Sequence, residues 1–199
     1  SKEFVESVLK IKKDINYKFL NEEWPRAAAK SIIEEKIICV FNDKMEFGPR
    51  ALGNRSIIAN PFAKDTKDKI NAFVKRRPWY QPLCPTILEE DRERIFDKSF
   101  SHKYMATAFM AKKEFKEILP SGLHVDCTAR PQFVKKEHNQ YIWEILKIIK
   151  EKYGYGVILN TSFNMHGRTI VLRPEDAVKD FLDCKMDKLF IQGFEVTKK

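Results

Sequence analysis

Between Asn139 and Ile191 the hydrophobic pattern changes period repeatedly, and this restricts the fold more than any other feature of the sequence. Ile142, Ile145, Leu146 and Ile149 recur at i, i+3, i+4 and i+7, which predicts a helix from about Asn139 to Lys152. Gly154 and Gly156 end it. Val157-Ile158-Leu159 then reads as a buried strand, and Asn160 to Gly167 as a polar loop beyond it. Pro174-Glu175-Asp176 starts another helix, with Ala177, Val178, Phe181 and Leu182 facing inward. Leu189-Phe190-Ile191 is expected to close the sheet. Helix and strand alternate, which indicates an α/β fold.

The first half repeats the alternation. Phe4, Val8, Ile11 and Ile15 predict an opening helix that Asn21 to Pro25 interrupts. Pro25 suits the first turn of a second helix, with Ala28, Ala29, Ile32 and Ile33 on its apolar face. Ile37 to Phe41 is a continuous apolar run of strand length. A loop with two glycines and a proline follows, Phe47 to Ser56, and then a short strand, Ile57-Ile58-Ala59. Ile70, Phe73 and Val74 mark a helix face that ends near Arg76, before Pro78. Thr86-Ile87-Leu88, Tyr104 to Ala111 and Leu123 to Val125 are further strand candidates. The 199 residues suit one domain, residues 24–199, preceded by a helical segment, 1–23, that could derive from an upstream partner domain.

With 43% hydrophobic and 33% charged residues, the chain belongs with globular rather than disordered or membrane proteins. Cys39, Cys84, Cys127 and Cys184 are far apart and form no CxxC pair, so reduced thiols and a cytoplasmic location are expected. His102, His124, His138 and His166 show no HExxH or HxxxH spacing, and no intrinsic metal site is expected. The net charge of +9 favours anionic partners. It is concentrated: Lys44 to Arg77 contains nine basic residues against three acidic ones.

Four polar clusters stand at predicted element ends. Arg50 and Arg55 flank Gly53 in the first loop, where arginine forks can take phosphate oxygens, although surface arginines on a tight turn read the same way. Lys75-Arg76-Arg77-Pro78-Trp79-Tyr80 pairs cations with two aromatics suited to stacking on a base. A basic helix terminus offsetting the helix dipole is the alternative. His124 and Asp126 share a face if that segment is a strand, and could move a proton or be structural. Asn160, Ser162 and Asn164 carry uncharged groups that can bind phosphate or cap a turn. There is no GxxxxGK(S/T), GxGxxG or GxSxG motif.

Together these clusters resemble one family. Met45-Glu46-Phe47-Gly48-Pro49-Arg50-Ala51-Leu52-Gly53-Asn54-Arg55-Ser56 is similar to the signature of the C-terminal domain of O-carbamoyltransferases, the nodulation and antibiotic-tailoring carbamoyltransferases. His124 to Arg130 resembles the family's HVDGTAR, Leu159 to Asn164 its LNTSFN, and Pro174 to Ala177 its PEDA helix start. The likeness runs in order from about Trp24 to Phe194. It implies a YrdC-like fold, a twisted mixed β-sheet flanked by helices. It also implies the nucleotide signature KxR…SxN, which Lys75-x-Arg77 and Ser162-x-Asn164 match.

The resemblance further implies a transferase that combines a carbamoyl group from carbamoyl phosphate with ATP, brought in with Mg²⁺, to give carbamoyl adenylate. An N-terminal Kae1-like domain, present in cis or in trans, then passes the group to an acceptor hydroxyl. On this basis Lys75, Arg77 and Arg130 are expected to act on the reacting groups. Arg50, Arg55, His124, Asn160, Ser162 and Asn164 are expected to join Lys75 and Arg77 in binding nucleotide and phosphate. Four departures from the family pattern stand out: Asp43 and Cys127 where glycine is usual, Gln81 where arginine is usual, and Gly167-Arg168-Thr169 for Gly-Glu-Pro. The competing readings are a threonylcarbamoyl-adenylate synthase of tRNA modification and a non-enzymatic RNA-binding module. The Met45–Ser56 motif speaks against the first, and nucleic acid is not the expected partner.

Overall fold

The computed structural model describes residues 2–199. The chain opens with helix α1 (Lys2–Lys10) and strand β1 (Ile15–Phe19), then helix α2 (Trp24–Ile33) and strands β2 (Ile38–Phe41) and β3 (Arg55–Ala59). Helix α3 (Thr66–Lys69) runs into a π-helical stretch, Ile70–Lys75. Strand β4 (Cys84–Leu88), short helix α4 (Arg92–Ile95), strand β5 (Phe109–Met110), short helix α5 (Phe115–Ile118), and strands β6 (Thr128–Ala129) and β7 (Gln132–Val134) follow. Helix α6 (Gln140–Tyr153), strand β8 (Val157–Ser162), helix α7 (Pro174–Asp183) and strands β9 (Lys188–Ile191) and β10 (Phe194–Lys198) complete the chain.

Eight strands form one mixed sheet in the order β1-β10-β9-β2-β3-β8-β4-β7, while β5 and β6 pair separately. The β2–β9 and β4–β7 pairs are parallel and the remaining neighbours antiparallel. Alternation along each strand builds two cores. Ile38, Val40, Ile58, Ile158 and Phe190 face α2 and α6, meeting Trp24, Ala28, Ile32, Ile145 and Ile149. Cys39, Phe41, Ile57, Leu159, Leu189 and Ile191 face the other way, under α1, α7 and the π-helical stretch. A third cluster, around Phe96, Phe109, Phe115 and Phe133, fills the region between β7 and the short pair.

Helix α6 forms where its apolar period predicts. The side chain of Asn139 caps it, accepting from the Ile142 N–H at 3.1 Å. Gly154 stops it with φ +80°. Helix α7 begins at Pro174, as expected, and Asp176 accepts from the Arg173 N–H to close its first turn.

Several expectations need correction. Of the 1–23 segment expected to be helical, the described part is α-helix only over Lys2–Lys10: Ile15 to Phe19 alternates apolar and polar at period 2, and this strand pairs with β10 at the sheet edge. The polar tract after Leu159 is not yet a loop, because Asn160, Thr161 and Ser162 still pair with β3. Leu123 to Val125 is a turn, since Cys127 takes a left-handed φ of +63° and reverses the chain. From Tyr104 to Ala111 only Phe109–Met110 is strand. Leu189 to Ile191 lies inside the sheet rather than closing it, with β10 and β1 beyond it. Phe73, expected on the buried helix face, is exposed because the turn there is π rather than α.

Candidate functional site

The loop from Asn42 to Arg55 is tied to its own backbone. Glu46 Oε1 accepts from the N–H groups of Leu52 at 2.7 Å and Asn54 at 2.6 Å. Arg55, only 4% exposed, donates to the carbonyls of Asn42 (2.7 Å), Asn54 (2.9 Å) and Asp43 (3.0 Å), and its guanidinium lies 3.6 Å over the Phe41 ring. Its two terminal nitrogens are therefore committed to the loop, while its buried Nε has no hydrogen-bond partner. Arg55 does not reach the anion hollow described below, contrary to the expectation that it binds phosphate. Gly53 has φ +122°, and a Cβ there would stand 2.5 Å from Ile142 Cγ1, so the loop can press against α6 only with glycine at this position.

Lys75 and Arg77 leave the π-helical stretch on either side of Arg76, whose φ of +45° turns the chain out of the helix. Lys75 is 5% exposed, and its ammonium meets strand β8 and the turn after it. Nζ donates to the Ser162 carbonyl at 2.5 Å, Ser162 Oγ at 3.2 Å, the Asn164 carbonyl at 3.0 Å and Asn164 Oδ1 at 2.7 Å. Ser162 Oγ also donates to Asn164 Oδ1 at 2.6 Å. Burial, followed by the neighbouring charge of Arg77, pushes the Lys75 pKa down to about 8. Arg77 donates through Nε to Asn71 Oδ1 at 2.7 Å. Asn71, fully buried, in turn donates to the carbonyls of Trp79 and Gln81, which shapes the Pro78–Pro82 turn. Burial lowers the Arg77 pKa as well.

Beside this lies a hollow of about 210 Å³ lined by Arg50, Arg77, Arg130, Asn160 and Ser162, with Pro82, Cys84 and Met105 among its walls. No carboxylate lines it. Three arginines from three separate loops thus converge with two groups of β8, an arrangement that can hold a compact anion. Pro82 also borders a second hollow of about 500 Å³, with Tyr80, Leu123, Val125, Lys67, Asp126 and His124.

His124 belongs to that second hollow rather than to the arginine cluster, and it is not on a strand with Asp126. Thr128 Oγ1 donates to Asp126 Oδ1 at 2.7 Å and contacts His124 Nδ1 at 3.0 Å. The hydroxyl proton is engaged with Asp126, so His124 Nδ1 is the donor and Nε2 the bare acceptor. Burial, opposed in part by Asp126, lowers the His124 pKa and favours the neutral ring. Among the described residues no group of three or more His, Cys, Asp or Glu could hold a metal ion. None of the helices among them is long and apolar enough to cross a membrane.

Sequence reasoning missed Asn71, Thr86 and Gln132. Thr86 Oγ1 donates to Gln132 Oε1 at 2.9 Å and accepts from Asn160 Nδ2 at 3.1 Å. None carries charge; the partners of Thr86 and Gln132 lie far along the chain, and those of Asn71, though near in sequence, are mostly backbone carbonyls that no side-chain pattern marks.

The family model described as carbamoyltransferase C-terminus matches residues 29–198. The chain belongs to that family. An uncharacterised protein of Methanocaldococcus jannaschii is 56% identical over 202 residues, covering all of this chain and 33% of the relative. The 3'-hydroxymethylcephem-O-carbamoyltransferase of Amycolatopsis lactamdurans is 33% identical over 143 residues, covering 72% of this chain and 27% of the relative. The chain therefore spans about a third of the length of these curated relatives. Among solved structures, P. abyssi Sua5 complexed with L-threonine superposes with a TM-score of 0.61 at 15% identity, covering 87% of this chain and 48% of that one. The carbamoyltransferase C-terminal domain thus has a YrdC-like fold, a large twisted mixed sheet flanked by helices.

Proposed function

We propose that this carbamoyltransferase domain binds ATP and carbamoyl phosphate and forms carbamoyl adenylate. A single juxtaposition supports this reading: the Lys75 ammonium lies within hydrogen-bond distance of both Ser162 and Asn164, at the edge of a hollow that holds three arginines and no acid. Two polyanions must approach each other for the reaction, so the site has to neutralise both and fix their geometry.

The chemistry balances as follows. Water and carbamoyl phosphate give carbamate and inorganic phosphate. A carbamate oxygen then attacks the α-phosphorus of ATP, the α–β bridging P–O bond breaks, and pyrophosphate leaves. Arg50, Arg77 and Arg130 neutralise the small anion in the hollow, whose volume suits a carbamoyl phosphate better than a whole nucleotide. Lys75 holds Ser162 and Asn164 until a phosphate oxygen replaces one of its four acceptors. Mg²⁺ bound to the nucleotide would offset the charge of the triphosphate. The neighbouring hollow, with Tyr80, Pro82 and Leu123, offers an apolar surface for the base. A Kae1-like domain then delivers the carbamoyl group to an acceptor hydroxyl.

Calorimetric titration of ATP·Mg²⁺ and carbamoyl phosphate tests the reading. Both ligands should bind, and Lys75→Ala and Ser162→Ala should each weaken the nucleotide. Unchanged affinity in both variants removes the assignment. The likeness in fold to Sua5 favours a second reading, threonylcarbamoyl-adenylate formation. Pyrophosphate release that requires L-threonine and bicarbonate, and ignores carbamoyl phosphate, would select it.

A further inference from the structure

Asn160 sits in β8 between Ile58 of β3 and Cys84 of β4, and it lines the arginine hollow. It is 3% exposed. A chain of hydrogen bonds fixes which way its amide lies. Gln132 Nε2 donates to the Leu52 carbonyl at 2.8 Å, which commits Gln132 Oε1 to Thr86 and Asn160. Asn160 Nδ2 then donates to the Ala51 carbonyl at 3.2 Å, to Thr86 Oγ1 at 3.1 Å and towards Gln132 Oε1 at 3.4 Å. Turning the Asn160 amide over would set its oxygen against two groups that only accept, Ala51 O and Gln132 Oε1. The oxygen therefore stays on the other side. There Asn160 Oδ1 is a buried acceptor without a hydrogen-bond partner.

Native proteins rarely leave such an atom unpaired, and an ordered water, an ion or a ligand usually completes it. The charged groups around the hollow, Arg50, Arg77 and Arg130, are all donors. An unpaired acceptor beside cationic donors matches a ligand that is anionic at one end and carries an N–H at the other. Carbamoyl phosphate has that form. Acetyl phosphate has the same shape and charge but presents a methyl group in place of the NH₂.

We infer that Asn160 Oδ1 accepts a hydrogen bond from the carbamoyl NH₂ and makes the site selective for carbamoyl over acetyl phosphate. This rests on the reading of the hollow as the carbamoyl phosphate site. Ala51, Thr86 and Gln132 act through Asn160 by holding its amide in place.

The test is a parallel calorimetric titration of the intact protein with carbamoyl phosphate and with acetyl phosphate, repeated on Asn160→Leu. The wild type should bind carbamoyl phosphate about tenfold more tightly. In Asn160→Leu the ratio should fall to near one, largely through weaker carbamoyl phosphate binding. Equal affinities in the wild type, a comparison that needs no variant, overturn the inference and leave the anion site standing. A tenfold ratio that survives in a folded Asn160→Leu overturns it too. Failure of the wild type to bind either acyl phosphate sinks the underlying reading, and the inference with it.

Discussion

The Lys75 ammonium nitrogen lies 2.7 Å from Asn164 Oδ1, an atom that also accepts from Ser162 Oγ at 2.6 Å. Lys75 therefore organises the turn after β8 as well as carrying charge. Lys75→Met should weaken ATP·Mg²⁺ binding by about 10- to 100-fold, the range for losing a charged hydrogen bond. Ser162→Ala, which keeps the ammonium, should cost less. Calorimetry on both variants ranks them, and a larger loss for Ser162→Ala would contradict this arrangement.

Binding should also depend on pH. With its pKa pushed down to about 8, Lys75 loses its proton in the free protein before an ordinary lysine does. ATP affinity should fall as pH rises above about 8, by up to tenfold per unit, and the effect should vanish in Lys75→Met. Stability moves the other way. The unfolded chain holds the Lys75 proton up to its ordinary pKa of 10.5. The cost of burying the charge is thus fully present below pH 8 and relieved as pH rises towards 10.5. Titrations at pH 7, 8 and 9 report the first effect.

Arg55 and Arg130 should separate stability from binding. Arg55→Met leaves three loop carbonyls without their donor and should destabilise the fold by about 2–4 kcal/mol. Arg130→Gln should leave the melting temperature nearly unchanged and weaken carbamoyl phosphate at least tenfold. Denaturant melts beside calorimetry distinguish the two. A fully stable Arg55→Met would refute the role given to that residue.

Cys127 and Asp43 occupy left-handed backbone at φ +63° and φ +48°. Both stand where the resembling family carries glycine, so the structure supplies the physical reason for the family's choice. Cys127→Gly should stabilise by roughly 0.5–1 kcal/mol, the relief of left-handed strain less the entropy glycine loses. Asp43→Gly should gain less, because aspartate tolerates this conformation better. Urea midpoints measure both.

Gly53→Ala should do the opposite. The added Cβ meets Ile142 Cγ1 at 2.5 Å, and the backbone is already at φ +122°. A loss of about 2–4 kcal/mol is expected, together with weaker anion binding as the Arg50 loop lifts from α6.

Much of this was legible in the sequence because the signals were local. The i, i+3, i+4, i+7 repeat gave α6, and Pro174 marked the start of α7. The spaced pairs Lys75/Arg77 and Ser162/Asn164 are visible as motifs; Lys75 bonds both members of the second pair, and Arg77 shares the hollow with Ser162. Other features depend on partners distant in sequence. The strand character of Ile15 to Phe19 emerges only against β10, and the value of Thr86 and Gln132 only through Asn160. The direction of Arg55 is not legible, because an arginine aimed at its own loop looks the same in sequence as one aimed at a ligand. The turn that takes His124 off a strand is hidden because position 127 holds cysteine, and only the glycine usual there in the resembling family hints at its left-handed backbone.

The widened turn from Ile70 to Lys75 carries one last implication. In ordinary α geometry a residue five positions on sits about 140° around the axis from the first, at the margin of the buried arc. Bonding at i→i+5 swings it back towards the first residue, so Lys75 follows Ile70 under the protein instead of drifting to the flank. Deleting a single residue inside this stretch would let the coil tighten and carry the lysine out towards water. An alignment gap of one position here would therefore mark a relative whose lysine no longer reaches Ser162 and Asn164 while every motif residue still reads as present.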